Sequence, residues 1–128
     1  MTARILVPSR GRVKKGVVPL SGMFTIGSSG AVSSEDGSAD CGAAVTKTAS
    51  ETGRYTVTVY QAFTKLRGPT ATMEGPADSA FPTTTGSDPQ ARNVGTTSFD
   101  IQFKRVDTQA DAEPASGTKV HWSVNGVI

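Results

Sequence analysis

Three segments of this chain alternate apolar and polar side chains with a period of two, and no segment sustains a helical period. In residues 54–60, Tyr55, Val57 and Val59 share one side while Thr56, Thr58 and Tyr60 share the other. Phe99, Ile101 and Phe103 alternate with Asp100, Gln102 and Lys104, and Val120, Trp122 and Val124 alternate with His121, Ser123 and Asn125. Successive side chains of a strand point to opposite faces, so each segment reads as a β-strand with one buried face. Such faces bury best against a second layer of the same kind. The expected fold is therefore all-β, a small antiparallel β-sandwich or barrel of about five to seven strands. Tyr55, Phe99, Phe103 and Trp122 are its expected core anchors.

The weaker segments fill in around these. Leu20, Gly22, Phe24 and Ile26 place a strand at 20–26, ended by the turn Gly27-Ser28-Ser29-Gly30. Residues 28–42 read as a flexible polar loop feeding a faint strand at 43–48. Residues 61–66 read as one helical turn, stopped by Gly68 and Pro69, with a short strand at 70–73. Residues 76–95, with Pro76, Pro82, Pro89 and the run Thr83-Thr84-Thr85, read as a long projecting loop. Residues 107–117 read as a solvated acidic connection closed by the Ser116-Gly117 turn. With 36% hydrophobic and 6% aromatic residues, the core is thin, and stability is expected to draw on packing or assembly.

Charge divides the chain more sharply than its net value of +2 implies. Arg4, Arg10, Arg12, Lys14 and Lys15 all precede the first acid, Glu35. Residues 1–16 therefore read as an extended basic N-terminal arm, and residues 17–128 as a single β domain. The arm cations are the candidate partner-binding residues, suited to an acidic protein surface. Nucleic acid ranks below that partner, because no aromatic residue lies in the arm to stack on a base. No apolar run of about 18 residues is present, and residues 1–9 lack the longer apolar core of a signal peptide, so a soluble protein made in the cytoplasm, with no membrane partner, is expected.

Nothing in the chain is spaced for chemistry. Cys41 and His121 are each the sole residue of their kind, and Asp40 adjoins the cysteine; the signatures that surround a nucleophilic cysteine are missing, so a small half-buried Cys41 and an outward His121 are the simpler reading. A single cysteine also excludes an intramolecular disulfide. The acidic stretch from Glu35 to Asp40 offers oxygen ligands but misses the EF-hand spacing, and Gly27, Gly30 and Gly37 lack the Lys-Ser/Thr pair of a phosphate loop. The expected protein is not an enzyme and carries neither cofactor nor metal.

Gly53-Arg54-Tyr55-Thr56-Val57-Thr58-Val59, the alternating strand after Gly95-Thr96-Thr97-Ser98, and Ser116-Gly117-Thr118-Lys119-Val120-His121-Trp122-Ser123-Val124 follow Gly27-Ser28-Ser29-Gly30-Ala31 in order. Over residues 17–124 this arrangement resembles small virion structural proteins of tailed bacteriophages. The resemblance implies a head decoration or cement protein that sits on the outer surface of the assembled capsid, bridges major capsid protein subunits and self-associates, trimers ahead of dimers. The expected location is then the virion. The alternative is a tail, baseplate or fibre-associated structural or glycan-binding module, for which Tyr60, Phe63 and Phe81 are the aromatic residues left over as sugar-stacking platforms.

Overall fold

The computed structural model describes residues 16–36, 42–75 and 85–128. These form eight strands: β1 (Val17–Ile26), β2 (Val32–Asp36), β3 (Ala44–Lys47), β4 (Arg54–Thr58), β5 (Lys65–Glu74), β6 (Asp88–Arg92), β7 (Ser98–Lys104) and β8 (Lys119–Val127). They make two four-stranded sheets, ordered β2-β1-β8-β5 and β3-β4-β7-β6, with every pairing antiparallel. This is the expected sandwich. The basic arm, Arg4 to Lys15, lies outside the described residues, as do Cys41 and Phe81.

The strongest alternating segments became the central strands. In one sheet β1 and β8 pair from Val17↔Val127 to Thr25↔Lys119, setting Leu20, Phe24 and Ile26 beside Val120, Trp122 and Val124 on the inner face, all buried. In the other, Tyr55 pairs with Ile101 and Val57 with Phe99. Tyr55 meets Phe24 and Phe103 at ring-centroid distances of 5.3 and 5.5 Å, and Phe99 meets Trp122 edge-on at 6.1 Å. These aromatic contacts knit the two layers together.

The edges depart from the expectation. Strand β2 lies inside the segment read as a loop at 28–42, and β6 inside the segment read as a loop at 76–95. An edge strand has one neighbour and buries little, so β2, Val-Ser-Ser-Glu-Asp, carries no apolar alternation, and β6 tolerates Pro89. Nor do residues 61–66 make a helical turn. Strand β5 begins at Lys65 and continues through Gly68 and Pro69, its register shifting between Arg67 and Thr70. Gly68 takes φ +64 there, and a bulge on an edge strand accommodates the missing proline N–H.

The polar surfaces of the two sheets differ. On the outer face of the β3-β4-β7-β6 sheet, Gln102 is buried and donates to the carbonyls of Thr52 (2.9 Å) and Phe103 (3.1 Å), while Arg54 Nε donates to Gln102 Oε1 at 2.9 Å. Asp100 accepts from Thr56 Oγ1 and Asn93 Nδ2, each at 2.8 Å. The segment after β7 folds back along this sheet, where Lys104 bonds Asp111 at 2.7 Å. Between the sheets, the Glu35 carboxylate of β2 accepts from Val45 N at 2.9 Å, joining one edge of the sandwich across the layers.

Candidate interaction surface

At one end of the sandwich the acidic connection is more than a solvated link. Glu113 and Pro114 fold onto the core: Glu113 Oε1 accepts from Gly53 N at 3.1 Å and faces Lys47 Nζ at 2.8 Å. The Tyr55 hydroxyl donates to the Gly30 carbonyl and lies 3.3 Å from Glu113 Oε2, with Lys47 Nζ 5.3 Å from the centroid of its ring. Burial pushes the Tyr55 phenol up from its ordinary value, and the neighbouring Glu113 charge and hydrogen bond push it the same way. The cluster is a structural lock over the end of the core.

The lock has a pH consequence. A phenol whose folded-state pKa is raised holds its proton more tightly folded than unfolded, so its stabilisation is complete below the unfolded value of about 10 and is lost as pH rises beyond it. The urea midpoint, followed from about pH 8 to about pH 11, is expected to fall along an alkaline limb that Tyr55→Phe flattens. An identical limb in the variant would rule out Tyr55 as its source.

The residues singled out for chemistry do not assemble. His121 points outward from β8 with Nε2 3.1 Å from Glu74 Oε1, both side chains exposed. Cys41 and Asp40 lie outside the described residues. In the acidic stretch from Glu35 to Asp40, Glu35 accepts from Val45 N. Among the described residues no group of three His, Cys, Asp or Glu side chains is placed to hold a metal ion.

The opposite end carries Gly16 and Ile128. Ile128 N donates to Gly16 O at 2.7 Å, so the start of β1 lies beside the end of β8. Thr64 N bonds Val127 O, Phe63 N bonds Thr96 O and Val59 N bonds Thr97 O, which draws the β4–β5 and β6–β7 connections to this same end. Three large apolar side chains stand out in solvent there: Tyr60 at 62%, Val94 at 45% and Ile128 at 72% exposure. Lys65 and Arg67 of β5, paired with Val127 and Asn125, lie at this same end.

Residues 16–18, 42–44, 59–67, 93–97 and 126–128 include no acid. Among the described residues, Lys65 and Arg67 make no salt bridge, whereas Arg92 lies across from Asp100 and four cations toward the far end are paired: Lys47–Glu113, Lys104–Asp111, Arg105–Asp107 and Arg54–Glu51. The Asp107 carboxyl, for example, is held low by hydrogen bonding from Arg105. Two cations without a salt bridge and three exposed apolar groups therefore collect at the end that holds Gly16, the residue that follows the basic stretch in sequence. A surface of this composition suits an acidic protein partner, the apolar groups giving burial and the cations giving steering and register.

Two of these features were within reach of sequence reasoning. Lys65 and Arg67 flank the buried Leu66 with strand periodicity, a signal hidden by reading 61–66 as a helical turn. Phe63, by contrast, is no sugar platform: it is buried over Gly126, where an added Cβ would lie 2.6 Å from its ring. Tyr60 remains the single exposed aromatic ring among the described residues. In comparisons with known proteins, no family model matches the chain, and neither a curated protein nor a solved structure proves similar to it.

Proposed function

We propose that this chain is a non-enzymatic structural protein of a bacteriophage virion, a decoration protein that binds the outer surface of the head and bridges major capsid protein subunits. The observation that carries the reading is the termini end, where Tyr60, Val94 and Ile128 stand exposed among unpaired cations beside Gly16. Fifteen arm residues precede that point, a reach of roughly 50 Å when extended. An arm of that length lets one copy touch more than one subunit, and a symmetric shell repeats each modest contact. The loss of Phe63 as an exposed ring weakens the glycan-binding alternative.

The test is sedimentation of the protein with empty heads of its own phage. Saturable co-sedimentation is expected, reduced at least about tenfold in affinity when residues 1–15 are deleted, and weakened by salt because the cations involved are exposed. Circular dichroism of the truncated chain should retain the β spectrum, since the arm adds reach rather than core. Full-length protein that stays in the supernatant at every concentration would remove the head assignment; binding to tails instead would move the protein along the particle.

A further inference from the structure

We propose that the outer face of the β2-β1-β8-β5 sheet is a twofold self-association surface, on which a second copy packs with its strands reversed. This face shares Lys65 and Arg67 with the termini end, but its argument does not depend on the virion reading. The contrast between the two outer faces is the starting point. The β3-β4-β7-β6 face is cross-linked by the Gln102 and Asp100 networks and flanked by the chain's own connection. On the other, the outward residues of β5 and β8 from Lys65 to Glu74 and from Lys119 to Asn125 are exposed.

The charge order along β5 is self-complementary. The outward positions of β5 run Lys65, Arg67, Thr70, Thr72, Glu74, paired with Val127, Asn125, Ser123, His121 and Lys119 of β8. Lys65 and Arg67 stand at one end and Glu74 at the other, where it contacts His121 at 3.1 Å and lies across from Lys119, with Thr70 and Ser123 bonded at 2.8 Å midway between the ends. A twofold axis through that middle rung, in the plane of the sheet and across the strands, lays β5 on β5 in reverse. Lys65 of each copy then faces Glu74 of the other. The small hydroxyls at the pivot let the sheets approach, and Met23, one rung from the centre on β1, falls over Pro19 of the second copy.

The other in-plane axis, along the strands, lays β5 on β2. Glu74 then approaches the Asp36 region, and Lys65 and Arg67 face no strand, because β2 pairs only with Met23 to Ile26. Like charges and unpaired cations disfavour that arrangement. Three strands spaced about 4.8 Å apart and about nine residues long cover roughly 450 Å² of flat face per copy, about 900 Å² in all, below the size of stable interfaces and in the range of weak, transient ones. The pair is therefore a concentration-dependent dimer.

Sedimentation equilibrium of the full chain tests this. The wild type is expected to approach the mass of two chains as concentration rises. Glu74→Lys and Lys65→Glu should each weaken association at least about tenfold, and the double swap Lys65→Glu/Glu74→Lys should restore it, a rescue that altered folding or solubility does not produce. A wild type monomeric at every concentration, a trimer, or a double swap as weak as the single variants overturns the proposal. Co-sedimentation with heads is scored separately, so either result can fail while the other stands.

Discussion

Replacing Trp122 by alanine is expected to cost about 3–5 kcal/mol of unfolding free energy. The indole is 2% exposed on the central strand β8, between Val120 and Val124, with Phe99 of the opposite sheet edge-on against it. Removing it deletes the largest buried side chain of the core and leaves a cavity that two hydrogen-bonded sheets cannot close by local collapse. For a domain of this size the loss is a large share of the total stability. The indole Nε1 is buried with no hydrogen-bond partner among the described residues, so Trp122→Phe should cost much less than Trp122→Ala. Chemical denaturation of both variants checks this, and a mild alanine effect would show that the layers do not depend on this ring.

The second large effect is expected at Gly53, just before β4. Its backbone sits at φ +68, and an added Cβ would come within 2.3 Å of the Ala112 carbonyl oxygen. The left-handed conformation costs a non-glycine residue about 1–2 kcal/mol. Displacing a neighbouring backbone group adds about 1–3 kcal/mol of overpacking. Gly53 also donates to Glu113 and accepts from Phe103 N at 2.8 Å, so pushing the chain away disturbs the Tyr55 lock as well. Gly53→Ala is expected to lose about 2–5 kcal/mol in the same denaturation assay; wild-type stability would mean that the 112–113 segment moves aside freely.

The fold was legible where a strand has a neighbour on each side. Strands β4, β7 and β8 each pack one face on the core between two neighbours, and their sequences alternate without interruption. Strands β2 and β6 have a single neighbour and little apolar surface, so nothing in Val32–Asp36 or Asp88–Arg92 distinguishes them from loop. Strand β5 was hidden by Gly68 and Pro69, which punctuate a sequence in general but on an edge merely make a bulge. Glu113 was illegible for a different reason: it bonds Gly53, 60 residues earlier, and no local pattern encodes a contact closed by tertiary folding.

The candidate surface was half legible. The five arm cations were visible as charge, but the domain's contribution depends on three connections meeting at one end. Tyr60, Val94 and Ile128 are unremarkable singly, and exposed apolar residues scattered over a surface need no explanation. Hydrogen bonds from Val59, Phe63, Thr64 and Ile128 bring them into one place, beside Gly16 and without an acid in the same segments.

A cryo-electron microscopy reconstruction of heads decorated with the full chain measures the orientation of the domain directly. The account predicts the Tyr60, Val94 and Ile128 end seated on the major capsid protein, with density for residues 1–15 following the capsid surface. A domain bound through the Glu113 end, with its termini facing solvent, would contradict it.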